Sequence, residues 1–158
     1  IWAAGGSMGY GLPFGVGFAL AKKLKNEEGK IYVLMSDGEM DIGTTHESAL
    51  IASHHRLDNL TVIVDANGFQ ATGRIEEVLE IEPIRDLWQA WHWDVREING
   101  HNFKEIEKAL SVPHGSPLAI IARTIKGKGV SFMENKLEWH YRNVDSGNYK
   151  LALKELKE

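Results

Sequence analysis

Cysteine is absent from the 158 residues, which removes disulfide frameworks, thiolate zinc sites and thiol nucleophiles together. Long apolar runs are missing too: none approaches the ~20 residues that cross a bilayer, and the first residues lack the basic-then-apolar order of a signal peptide. Positive charge is in deficit, with 18 Lys and Arg against 22 Asp and Glu and a net charge of −4. No basic stripe therefore offers the counterion-release footprint of a nucleic-acid binder. Neither a membrane nor nucleic acid is an expected partner, and the reducing cytoplasm, compatible with a cysteine-free chain, is the expected location. There are no internal repeats. What is present is ordinary for a folded soluble chain, 43% hydrophobic and 25% charged residues, enough for one core at this length. A single domain over residues 1–158 is expected. The chain opens at Ile1 rather than Met and reaches a glycine-dense stretch almost at once, which reads as a missing N-terminal segment.

Local patterns alternate between helix and strand. Leu12, Val16, Leu20 and Leu24 recur every four residues, and Pro13 suits a first turn, so residues 11–25 are expected to form a helix. Residues 30–35 are a short apolar run ending at Ser36-Asp37-Gly38, the pattern of a buried parallel strand that delivers a polar loop. A helix over 44–54 follows, with Thr44 or Thr45 as its cap and Glu47 in capping-box spacing. Residues 59–64 form a second β-branched strand ending at Asp65-Ala66-Asn67-Gly68. Helices over 84–91 and 102–110, strands over 93–98 and 117–122, a glycine-rich polar loop over 126–145 and a helix over 149–157 complete the pattern. This is an α/β chain of three layers, α/β/α, with a mainly parallel sheet. Such sheets bind ligands at the carboxyl ends of their strands.

Asp37 and Asn67 end two strands expected to be neighbours. A carboxylate and an amide oxygen then converge beyond the sheet edge, hard ligands suited to Mg²⁺ with phosphate oxygens, while Gly38 lets a phosphate approach the backbone. The alternative is that Asp37-Gly38 and Asn67-Gly68 are merely turns, since both dipeptides favour them.

The stretch from Ser36 to Gly43, with Asn67 thirty residues after Asp37, resembles the thiamine diphosphate motif of the transketolase family. That motif usually begins Gly-Asp-Gly and ends in Asn. Three more segments agree in order and spacing: Gly6-Ser7-Met8-Gly9-Tyr10-Gly11, Asn99-Gly100-His101-Asn102, and Thr124-Ile125-Lys126-Gly127-Lys128-Gly129 with Trp139-His140. Together they span nearly the whole chain and resemble the diphosphate-binding domain, or the N-terminal subunit of a split transketolase. The resemblance implies a thiamine diphosphate-binding fold with Asp37, Asn67 and the backbone carbonyl of Phe69 as Mg²⁺ ligands. It places Gly38 on the diphosphate, Gly6 and Met8 on the aminopyrimidine, and His140 as a catalytic and diphosphate-binding histidine. The implied reaction carries a two-carbon ketol unit from a ketose to an aldose or its phosphate. The glutamate that activates the cofactor comes in this family from a pyrimidine-binding domain for which these residues offer no candidate region, so the resemblance implies either a separate pyrimidine-domain subunit, in a dimer of such pairs, or that the residues are a fragment.

Ser36 stands for the usual first glycine, Ala66 for Asp or Asn, Ile42 for a glutamate and Tyr141 for a glycine. The Ile42 departure leaves two other readings open, a non-catalytic cofactor-binding scaffold or another thiamine diphosphate enzyme resembling deoxyxylulose-phosphate synthase. Glu47 fits either a subunit-interface glutamate or a helix cap. Residues with plainer expected roles are His54 and His55, at a helix end, and Trp88, Trp91 and Trp93, in packing. Of Lys126 and Lys128, at least one is expected to be a solvated edge.

Overall fold

The computed structural model describes residues 6–157. Along the chain lie α1 (Gly11–Leu24), β1 (Ile31–Ser36), a 3-10 turn (Asp37–Asp41), α2 (Gly43–His54), β2 (Leu60–Ala66), the short α3 (Ile75–Val78), α4 (Ile84–Ala90), β3 (Asp94–Asn99), α5 (Phe103–Ser111), β4 (Leu118–Arg123), a second 3-10 turn (Leu137–His140) and α6 (Ser146–Glu155). The strands form one sheet in the order β1-β2-β4-β3, and every pairing is parallel. β1 and β2 end level, with Ser36 opposite Asp65. The loops that follow them therefore emerge side by side.

Alternation along each strand sorts the core into two faces. Val33, Met35, Val62, Val64, Ala119 and Ile121 pack with α1, α2 and α4, whereas Leu118, Ile120, Ile63 and Ile98 meet Ala109 and Leu110 of α5 on the opposite face. The three-layer α/β/α arrangement is thus present. Trp88 is fully buried and lies edge-on to Trp91 at 5.2 Å and to Trp93 at 4.7 Å. Trp93 Nε1–H donates to the carbonyl of Ala49 at 3.0 Å, so the tryptophans weld α4 and the start of β3 to α2.

Several local expectations are corrected. β1 is an edge strand rather than one buried on both faces, and Tyr32 and Leu34 are 52% and 74% exposed opposite the buried Val33 and Met35. The N-cap of α2 is Ile42, with no side-chain cap. Thr44 donates instead to the Gly9 carbonyl and Thr45 to that of Glu39, while Glu47 is exposed. The capping box exists one turn earlier, between Ser36 and Glu39. α6 begins at Ser146 because Asp145 accepts from the N–H groups of Gly147 and Asn148, ahead of the predicted start at 149. His54 and His55 close α2 at the surface.

Candidate functional site

Asp37 is the buried carboxylate of the sheet's carboxyl edge, 1% exposed. Its Oδ1 accepts from Gly38 N–H at 2.9 Å and its Oδ2 from Gly68 N–H at 2.6 Å, so one side chain ties the loop after β1 to the loop after β2. Among the described residues no Lys, Arg or His pairs with it. Burial, reinforced by the nearby charge of Asp65, pushes its pKa from the usual 3.8 up to about 6, against the pull of these backbone N–H groups. A buried carboxylate without a cation is costly.

Across the gap, Asn67 Oδ1 accepts from Phe69 N–H at 3.0 Å and Asn67 Nδ2 donates to Asp65 Oδ2 at 3.2 Å. Asp65 is held in turn by the Thr124 hydroxyl. This orientation leaves the Asn67 oxygen one lone pair. Phe69 is buried beneath the Arg74 guanidinium, 4.7 Å from its ring centre. The hairpin around it closes through Gln70 N–H to Gly73 O at 2.8 Å and Ile75 N–H to Gly68 O at 3.1 Å, a pairing that leaves the Phe69 carbonyl out of the ladder.

The candidate donors are accordingly one desolvated carboxylate, one amide oxygen and one peptide oxygen. Among the described residues no group of three or more His, Asp or Glu could hold a metal. A site of this kind suits Mg²⁺ shared with phosphate oxygens better than a cation that needs an all-protein cage. The residues fit the group.

Other predicted positions surround this point. Gly38 is buried, and a Cβ there would meet Gln70 Cγ at 3.2 Å and Met8 Cε at 3.4 Å, so a side chain at 38 would push both aside. Gln70 also donates to Asp41, whose other carboxylate oxygen is buried without a hydrogen-bond partner among the described residues. Gly6 and Met8 are exposed. His140 lies in the second 3-10 turn, exposed, with its ring 4.9 Å from that of Tyr141. Partial desolvation and then the charge of Lys126 lower its pKa. Lys126 in turn lines a cleft of about 460 Å³ with Asp65, Asn67, His101, Thr124 and Lys128. Lys128 is exposed and 3.7 Å from Glu134, the solvated member of the pair.

Two contributors lie within the quoted motifs but received no role from the sequence. His101 Nε2 accepts from Ile125 N–H at 2.8 Å, so the Asn-Gly-His-Asn turn anchors the loop after β4. Glu39 bonds Ser36 N–H at 3.1 Å and Gly9 N–H at 3.0 Å. Its available signal is the Ser-x-x-Glu spacing from Ser36 to Glu39, which competes with the same spacing from Thr44 to Glu47.

The family model described as the transketolase thiamine diphosphate binding domain matches residues 1–156. The chain belongs to this family. It is 40% identical over 156 residues to an apulose-4-phosphate transketolase subunit of Phocaeicola vulgatus, covering 97% of this chain and 56% of that protein. A 6-deoxy-6-sulfo-D-fructose transketolase subunit of a Clostridium species is 39% identical over 155 residues, with 96% and 56% covered. The chain thus spans little more than half the length of these curated relatives. Its fold superimposes on the crystal structure of transketolase from Campylobacter jejuni with a TM-score of 0.89 at 31% identity, over 95% of this chain and 25% of that one. The thiamine diphosphate-binding fold inferred from four short motifs is the family's own.

The departures from the family motif acquire local reasons. Ser36 in place of glycine caps the 3-10 turn, accepting from Glu39 N–H at 3.3 Å. Ile42 in place of glutamate packs on the glycine turn, where a Cβ on Gly9 would collide with it. Ala66, in place of an acid or amide, is buried at the end of β2. Tyr141, in place of glycine, is 74% exposed beside His140.

Proposed function

We propose that this chain forms the diphosphate-binding half of a two-subunit, thiamine diphosphate- and Mg²⁺-dependent transketolase that moves a two-carbon ketol unit from a ketose to an aldose phosphate. The observation that carries the reading is the buried carboxylate of Asp37, with no Lys, Arg or His partner among the described residues, tied through Gly68 to the loop that presents Asn67 and Phe69. A bound divalent cation would offset the desolvation of that carboxylate. The similarity to relatives that are named as single subunits of transketolases supports a partner that carries the pyrimidine-binding domain.

When bound, thiamine diphosphate supplies the carbon nucleophile that takes up and hands on the ketol fragment. This chain's part is to hold and orient. Asp37, the Asn67 side-chain oxygen and the Phe69 carbonyl would hold Mg²⁺, and Gly38 would sit against the diphosphate. Gly6 and Met8 would meet the aminopyrimidine end. His140, whose pKa is lowered by partial desolvation and then by the Lys126 charge, would hydrogen-bond the diphosphate.

The test reconstitutes the full-length protein with its pyrimidine-domain subunit. Ketol transfer from a ketose to an aldose phosphate should require both subunits, thiamine diphosphate and Mg²⁺, and Asp37→Ala should abolish Mg²⁺-dependent cofactor binding while leaving the circular dichroism spectrum unchanged. Undiminished thiamine diphosphate affinity in that variant would overturn the assignment.

A further inference from the structure

Glu39 lies two residues beyond Asp37, yet its carboxylate turns away to the backbone of two different loops. Oε2 accepts from Ser36 N–H at 3.1 Å, at the end of β1, and Oε1 accepts from Gly9 N–H at 3.0 Å, thirty residues earlier in the chain. Both oxygens are thus engaged by backbone donors. Glu39 is itself fixed at its own backbone, with its N–H on Ser36 Oγ at 3.3 Å and its carbonyl accepting from the hydroxyl of the fully buried Thr45 at 2.8 Å.

The recipient turn is held just as closely. Gly9 is buried with φ of +80°, its carbonyl accepts from Thr44 Oγ1 at 2.7 Å, and a Cβ would stand 2.9 Å from that hydroxyl and from Ile42 Cβ. Both polar groups of one residue are therefore bonded to the segment 39–44, and no side chain fits at position 9. Immediately beside it Met8 reaches over Gly38. The loop that carries Asp37 and the glycine turn are thus joined at Gly9, and the Glu39 carboxylate spans the two.

We propose that Glu39 is a positioning residue that locks the glycine turn to the Asp37 loop, fixing the distance between the part of the site that grips the diphosphate and the part that meets the aminopyrimidine. This inference rests on the cofactor assignment made above. Its physical content is that a carboxylate bridging two backbone N–H groups sets their separation to within the length of one side chain, a constraint that neither loop supplies alone. Glu39 does not touch the cofactor in this account. Its loss should leave the Asp37–Gly68 bond intact and free the turn.

The experiment compares two probes on the assembled two-subunit protein, Mg²⁺ with thiamine diphosphate and Mg²⁺ with inorganic diphosphate, by isothermal titration calorimetry. The variants are Glu39→Gln, which keeps one acceptor oxygen, and Glu39→Ala, which keeps none. With a charge-assisted hydrogen bond removed, affinity for thiamine diphosphate should fall about tenfold or more in Glu39→Ala and by less in Glu39→Gln, while inorganic diphosphate changes by under about threefold. Equal losses for both probes would make Glu39 a general support of the loop and overturn the coupling role. Unchanged affinity for both would overturn it as well. Should Glu39→Ala fail to fold, Glu39→Asp, which keeps the charge on a side chain one carbon too short to reach both Ser36 N–H and Gly9 N–H, carries the same expectation. If the unmodified protein bound neither probe, the cofactor assignment itself would fail, an outcome distinct from a failure of the Glu39 role and one that removes the proposal with it.

Discussion

Asp37 makes a specific prediction about the metal-free protein. Its pKa rises from 3.8 to about 6 on folding, so between these values the unfolded chain has released a proton that the folded chain still holds. Stability then falls as pH rises through this window and levels off above about pH 6, because the folded state binds more protons than the unfolded one. At about 1.4 kcal/mol for each tenfold change in an equilibrium constant, the full loss is about 3 kcal/mol. The control is Asp37→Asn, which cannot titrate; its single acceptor oxygen facing two N–H donors adds a constant offset independent of pH. Urea unfolding of both proteins in chelator, at half-unit steps from about pH 4 to 8, gives the difference curve. Because the unfolded carboxyl is already more than half ionised at pH 4, the wild type should lose about 2.4 kcal/mol of that total relative to the variant across this range, most of it below about pH 6.5. On the proposed function, saturating Mg²⁺ and thiamine diphosphate should cancel the fall, because the cation would bind the ionised carboxylate. A flat difference curve, or one that rises with pH, would refute the claim that Asp37 is a desolvated carboxylate lacking a cation.

Three other perturbations test the packing around the site. Gly9→Ala, placing a methyl at positive φ against Ile42, should destabilise the protein by about 2 to 4 kcal/mol in urea unfolding, and adding Ile42→Ala should restore part of the loss. Trp88→Ala should cost about 3 to 5 kcal/mol, whereas Trp88→Phe should cost much less because it also removes an indole N–H that is buried without a partner among the described residues; similar losses for the two would contradict this. Asn102→Ala removes the side chain that accepts from Lys104 and Glu105 N–H at the start of α5 and should cost about 1 kcal/mol, with Asn102→Asp close to neutral in the same assay.

Local chemistry makes much of the chain legible. The four-residue spacing of Leu12 and Val16, the apolar runs before Ser36 and Asp65, and the polar dipeptides Asp37-Gly38 and Asn67-Gly68 each act within a few residues, so α1, β1, β2 and their loops are readable from order alone. The strand leading to Arg123 belongs to the same class. Expectation and structure part where a competing partner lies far away. Thr44 has the spacing of a helix cap, but its hydroxyl serves Gly9 instead. The apolar run of β1 resembles a strand buried on both faces, yet its place at the sheet edge leaves Tyr32 and Leu34 open.

Residue identity and short spacings are enough for the alternation of strand and helix, for the lack of any cysteine thiol in these 158 residues, and for the pairing of one acid with one amide at two strand ends. The chain carries these whatever its shape. Packing alone produces the order β1-β2-β4-β3, which sets the Asp37 and Asn67 loops side by side, the burial that raises the Asp37 pKa, and the reach of Glu39 across thirty residues to Gly9. Desolvation and long-range hydrogen bonds depend on what the rest of the chain places around a group, and no local pattern encodes that surrounding.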